Sequence, residues 1–430
     1  MVKRHHTHTV AEISNISSLS VVVLMCLTIC IVITICQRSR CPDTSLCFCE
    51  GSVLECNCTR SSTLVLRSFS KFAHKVIVEG CKDVEVQLGA FLHMEIDDME
   101  FKNINKLILR PFAFSGIKRI RRLLMKNIAD LEINLFGLSG LHRVDKASFM
   151  NVTALNLSEF AIAGSNVTLL EIDDSHFVFE SFSFVMSDMN DVLIRNTTFQ
   201  SVNNASLIIR GADRIDIRDC AFVSPYEKSL VVLWTGLMEI FNCSFQTLPS
   251  GFLYGHVDHF LFNENFIENS ETNAFVSLYV RRTAEFRYNR FQTAEPDSLF
   301  PNPGNNVSET IESLSIWGNE LYCDCRLSWL LNDREIYAPF IQHSKCYNHN
   351  DMTPVHLFRM FLSNHTCIFP GYESMRLEDD NGIFLHDQNM QSSASYLVTE
   401  TFSFKFVFVT IIAKKFFLRI FCEGIHSDVF

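Results

Sequence analysis

The chain has no excess of basic residues: 37 Lys and Arg stand against 48 Asp and Glu, a net charge of −11. A protein that tracks a phosphate backbone needs the opposite balance, so nucleic acid is excluded as a partner. Catalytic signatures are missing too. No G-x-S-x-G elbow, H-E-x-x-H pair or phosphate-binding loop occurs. The acidic motif EIDD appears at Glu95–Asp98 and again at Glu171–Asp174. The two copies fall three repeat units apart, about 14 Å at the strand spacing given below, too far for a pair of catalytic carboxylates. No enzyme activity, metal or cofactor is expected. The tail 371–430 lacks a spanning segment: its uninterrupted apolar run is only Phe406–Ala413, well short of the ~20 residues that a membrane span needs.

What is present starts at the N-terminus. Ile16–Cys36 is an uncharged apolar run, preceded by Lys3 and Arg4 and followed by Arg38 and Arg40. It reads as a single-pass signal-anchor, or as a signal peptide cut after Cys36. Either reading places residues 41–430 at the cell surface or in the secreted space. Asn-x-Ser/Thr acceptors at Asn57, Asn151, Asn156, Asn166, Asn196, Asn204, Asn242, Asn306 and Asn364 are denser than the one per roughly 100–150 residues that composition alone produces. Thirteen of the 16 cysteines lie beyond the apolar run and gather toward the two ends of the remaining chain, as in disulfide-capped extracellular domains. His5, His6 and His8 read as part of a polar tail.

Between those ends the chain repeats. Rows start at Glu50, Ala73, Ile96, Ile120, Val144, Val167, Met189, Ala212, Thr235, Val257, Arg281 and Ile311. Their spacing stays near a period of about 23 and widens only before the last row. Counting each row start as position 1, positions 4 and 6 are apolar and position 11 is often so. Position 6 is apolar in eleven rows, from Val78 and Phe101 to Phe286 and Ile316. Such a period is too short for two packed helices but suits a strand, a turn and a return. Rows stacked at about 4.8 Å make a parallel sheet with positions 4 and 6 inside. Phenylalanines of the returns (39 in the whole chain) supply the facing wall. The wider gap holds the insertion EPDSLFPNPGNN. The expected fold is a mostly β solenoid of the α/β type, with short parallel strands and irregular convex returns.

Position 9 runs Cys58, Cys81, Ile104, Ile128, Val152, Ser175, Thr197, Cys220, Cys243, Asn265, Asn289, Asn319. An inward asparagine there satisfies the backbone of the turn that leaves the strand. Cys58 with Cys81, and Cys220 with Cys243, stand at the same position of adjacent rows, within reach of disulfide bridges from row to row.

The motif L-x-x-L-x-L-x-x-N/C-x-L and the stretch NELYCDCRLSWLL at Asn319–Leu331 resemble extracellular leucine-rich repeat proteins and their C-terminal cysteine-rich cap. The resemblance implies a repeat arc and the pairings Cys323–Cys346 and Cys325–Cys367. The stretch CPDTSLCFCEGSVLECNC, with Cys41, Cys47, Cys49 and Cys56, resembles the family's N-terminal cap; its three possible pairings stay open. Zinc at Cys323, Cys325 and Cys346 does not suit their spacing or an oxidising compartment. The division that follows is a tail 1–15, an apolar segment 16–36, a cap 41–72, repeats 73–322, a cap 323–370 and a tail 371–430.

Positions 3, 5 and 7 point outward on the strand face. Acidic and basic residues alternate there with apolar ones, and Arg195, Arg218, Phe241, Leu261, Arg287 and Trp317 mark the candidate binding face. Mixed charge around aromatic anchors suits a protein partner at the cell surface. Glycans on Asn57, Asn151, Asn196 and Asn242, all at position 8, would crowd one edge. Two other readings compete: a right-handed parallel β-helix acting on or binding polysaccharide, which would not carry cysteine-rich caps, and a structural matrix protein.

Overall fold

The structure, a computed structural model, describes residues 45–58, 62–68, 73–301, 312–322, 327, 329–330, 334–348, 351–355, 366–369 and 372–376. The chain divides into two compact units, Met1–Met375 and Arg376–Phe430, and the solenoid belongs to the first. The apolar run 16–36, Cys41, Cys323, Cys325, Asn306 and Asn364 lie outside the described residues, as does the side chain of Cys367. Among the described residues no helix is long and apolar enough to cross a membrane.

The first unit is a parallel-strand β-solenoid of about 12 turns, mostly strand. Its register is the period read from sequence. Val78, Phe101, Met125, Phe149, Ile172, Ile194, Ile217, Ile240, Phe262, Phe286 and Ile316 lie directly opposite one another on successive strands. All are buried. One coil cannot bury this column alone; each covers its neighbours, so stability is shared along the stack.

The returns are more regular than the sequence suggests. Within one coil, Phe184–Arg195 runs through positions 1 to 7, and Thr198–Val202 forms a second strand that pairs in parallel with Ala221–Pro225 of the next coil. Single residues with positive φ recur at fixed places in the coils, some between strands and some within them. Asn103, Asn127, Asn151, Asp174, Asn196, Asp219, Asn242, Glu264 and Tyr288 hold position 8. Phe112, Phe136, Phe160, Phe182, Ala205 and Lys228 hold a second corner. Arg143, Asn166, Asp188, Gly211 and Trp234 hold a third, immediately before position 1. The central coils are therefore three-sided. Asparagine and aspartate bear the left-handed conformation at little cost, whereas phenylalanine, lysine and tryptophan bear it only where neighbouring coils hold them.

Phenylalanine fills the inside of the return as expected. Phe199, Phe222 and Phe245 stack at ring-centroid distances of 4.8 and 4.7 Å. The inserted segment begins inside the structure: Leu299 and Phe300 are buried, and Phe300 lies 6.3 Å from Phe340 of the helix Arg334–His343.

Position 9 carries a continuous polar ladder where the residue is asparagine. Asn289 Oδ1 accepts from Asn265 N at 3.0 Å, and Asn319 Oδ1 accepts from Asn289 N at 2.9 Å. The amide nitrogens donate to Ile240, Phe262 and Phe286 carbonyls at 3.0, 2.6 and 2.9 Å. Where the column is Ile104, Ile128 and Val152 the strands simply run through, as in Glu95–Leu109, and the column packs as core.

The cysteines divide. Cys47–Cys56 closes an N-terminal hairpin, and Cys58–Cys81 joins the first two coils with 4.6 Å between Cα atoms. Cys49 and Cys346 are also disulfide-bonded. The expected Cys220–Cys243 bridge is not formed: both are buried free thiols. Cys220 Sγ donates to the Arg218 carbonyl at 3.1 Å and Cys243 Sγ to the Phe241 carbonyl at 3.3 Å. Ser175 and Thr197 hydroxyls do the same two residues back, at 2.7 Å each. The thiols take the place of hydroxyls in the turn.

Candidate functional site

Because strand residues alternate in direction, positions 3, 5 and 7 form one outward face. Opposite charges of this face meet both between adjacent coils and two residues apart on one strand. At its N-terminal end Arg122 bonds Asp98 at 2.9 Å and Glu100 at 2.8 Å, and Lys102 also pairs with Glu100. Further along, Lys146 holds Glu171 at 2.8 Å, with Ser148 donating to the same carboxylate. That bond with Lys146 is the main reason the Glu171 carboxyl sits below its ordinary range.

In the middle, Asp216 is buried to 2 % exposure between Arg214 and Arg218. Arg218 also pairs with Glu239 and lies over the Phe241 ring, 5.3 Å from its centroid. A buried carboxylate needs such partners. The result is a face whose charges are largely neutralised among themselves, with Arg195 exposed beside Arg218 and Leu261 half-buried between Glu239 and Glu285.

The C-terminal end differs. Trp317 is 52 % exposed and Tyr288 50 %, and they meet edge to face at 5.3 Å. Arg287, directly opposite Trp317, is held by Glu285 at 3.0 Å and by the Ser315 hydroxyl. A groove of about 410 Å³ opens here, lined by Arg287, Ser315, Ile316 and Trp317 from the sheet and by Pro339 and His343 from the cap helix.

The structure thus joins four of the residues read from sequence into two pairs, Arg218 with Phe241 and Arg287 with Trp317. Arg195 and Leu261 share the face without joining either. Tyr288, Pro339 and His343 were not legible as site residues. Tyr288 had a signal: it fills a column otherwise made of asparagine, aspartate, glycine and glutamate. Trp234 was also missed. A register shift between Val232 and Thr235 throws it outward, to 64 % exposure, with Arg210 5.2 Å from its ring.

Of the glycan acceptors, Asn57, Asn151, Asn196 and Asn242 are exposed at the position-8 edge. The Asn151 amide donates to Asn127 at 3.0 Å and the Asn196 amide to Asp173 at 3.1 Å. Asn156, Asn166 and Asn204 are exposed elsewhere. Comparison with protein-family models and with curated proteins finds no match.

Proposed function

We propose that the protein is an extracellular recognition module of the leucine-rich repeat type, tethered through residues 16–36 or secreted, which binds a protein partner through the outward sheet face. One observation carries the reading. The ion-paired face ends in an exposed aromatic pair, Trp317 and Tyr288, beside a fixed arginine and an open groove. Aromatic and arginine anchors beside a pocket are the usual carriers of binding energy between proteins, while surrounding charge pairs contribute register and approach. Disulfides at the N-terminal coils support an oxidising compartment. The paired state of the carboxylates on this face suits recognition rather than acid–base chemistry.

A second reading rests on the three-sided central coils with their left-handed corners, a cross-section that also suits a parallel β-helix handling polysaccharide. The deciding experiment screens the purified protein against cell-surface ectodomains and against a glycan array. The expected result is an ectodomain partner whose binding falls at least tenfold in Trp317→Ala and in Phe241→Ala but not in Gln246→Ala on the return side. Binding to glycans alone, or to a protein with no dependence on this face, would overturn the proposal.

A further inference from the structure

Position 8 alternates along the middle of the stack. Asn151, Asp174, Asn196, Asp219 and Asn242 occupy it on five successive coils, all exposed and all at positive φ between 47° and 55°. Each of the three asparagines opens an Asn-x-Ser/Thr triplet. The coils lay these triplets out alike. The asparagine is exposed, the middle residue (Val152, Thr197 or Cys243) is buried, and the hydroxyl residue (Thr153, Thr198 or Ser244) returns toward the surface.

Each asparagine amide has a fixed partner. Nδ2 of Asn151, Asn196 and Asn242 donates to Asn127, Asp173 and Asp219 of the preceding coil, the first two at 3.0 and 3.1 Å. A carboxamide nitrogen carries two hydrogens. Each of these bonds uses one and leaves the second to be replaced. The spacing suits three substituents at once. Two coil steps separate successive asparagines, about 9.6 Å, against about 4.8 Å between neighbouring coils. A small carboxylate, Asp174 or Asp219, stands in each gap.

We infer that Asn151, Asn196 and Asn242 carry N-linked glycans together, one on every second coil, as a fence along the position-8 edge of the outward face. In the transfer, Nδ2 bonds to the anomeric carbon of an oligosaccharide held on a lipid diphosphate. The bond from that carbon to the diphosphate oxygen breaks, the lipid diphosphate leaves, and the amide gives up one proton to it. The remaining N–H keeps the bond to the coil before, and nothing is oxidised or reduced. Glycans are bulky and hydrated, so the edge between them is screened from a protein-sized body. The fence ends at Asn242. The next two position-8 residues, Glu264 and Tyr288, open no triplet, so Tyr288 and Trp317 stay uncovered. The inference rests on the reading that the solenoid is extracellular, and goes beyond it by assigning the sites and what they screen.

The test expresses the full chain in eukaryotic cells and maps its peptides after glycosidase release in heavy-oxygen water, which turns each formerly glycosylated asparagine into a labelled aspartate. Thr153→Ala, Thr198→Ala and Ser244→Ala each remove an acceptor while keeping its asparagine and the bond to the coil before. The expected result is label at Asn151, Asn196 and Asn242, and an intact mass lower by one glycan in each variant. Screening is read in Asp174→Cys. A maleimide on a bulky polyethylene glycol should react at least tenfold faster after deglycosylation, while a small maleimide reacts alike before and after. In Tyr288→Cys the bulky reagent should react alike in both states. Label missing from any of the three while another acceptor carries it overturns the inference and leaves the extracellular reading standing. So does a bulky reagent that reaches Asp174→Cys equally fast in both states. If no acceptor in the chain is modified, the extracellular reading falls as well.

Discussion

At the scale of single residues, the face is governed by which charge meets which. Glu171 is held below the usual carboxylate range by Lys146 first and Ser148 after it. A depressed folded value means its contribution is present above the unfolded value, near about 4.3, and is lost as pH falls through the folded one. Lys146→Met therefore moves the Glu171 titration up toward the ordinary range; the variant is less stable at neutral pH and loses less stability than the unaltered protein as pH falls below about 4.3. Carboxyl-resolved NMR titration reads the first effect; an unchanged titration would contradict the pairing. The position-9 thiols make a second prediction. Burial is the main cause pushing the Cys243 thiol well above its usual range, and only the thiolate is reactive. Both thiols are also buried away from reagent, so Cys220 and Cys243 should resist alkylation in the native protein, react fully in denaturant without reductant, and appear unlinked in non-reducing peptide maps. A Cys220–Cys243 cross-linked peptide would contradict the structure.

At the scale of the element, what was legible in the sequence is what repeats in chemistry as well as in place. The position-6 column, the inward asparagines and the Cys58–Cys81 bridge repeat both ways, and all appear in the structure. The two other corner columns do not. They place Phe112, Lys228, Arg143 and Trp234 in one backbone conformation, and a pattern of side-chain types has no symbol for a shared φ. The returns look irregular in sequence for that reason. The groove was invisible because one wall comes from the cap helix, outside the repeat. The asparagine ladder gives the element-scale prediction. Asn289→Leu leaves the buried Phe262 carbonyl and the Asn265 amide unpaired, which should cost about 2–5 kcal/mol. Denaturant unfolding measures it, and a loss below about 0.5 kcal/mol would show that the ladder is not holding these coils together. Gly255 makes a sharper steric case. It sits at φ 136°, where a Cβ would come within 1.7 Å of the Val232 carbonyl oxygen, so Gly255→Ala should destabilise by about 3 kcal/mol, read in the same assay.

At the scale of the whole molecule, every functional statement depends on coils stacked in order within Met1–Met375. The face exists only because position 7 of each coil lies beside position 7 of the next, which sets Arg195 by Arg218, Arg218 by Phe241, and Arg287 by Trp317. The pairs between coils, such as Arg122 with Glu100 and Arg218 with Glu239, then follow from the stacking, and the aromatic end follows from where the stacking stops. Lys126 and Arg287 both stand at position 7 and are separated by seven coil-to-coil steps. With about 4.8 Å for each step, their Cα atoms lie about 34 Å apart. Spin labels at Lys126→Cys and Arg287→Cys, measured by electron double resonance, should give one narrow distance distribution centred within several ångströms of that value. A broad distribution without a defined peak, or one centred at less than two-thirds or more than one and a half times that separation, would contradict the stacked coils and with them the face.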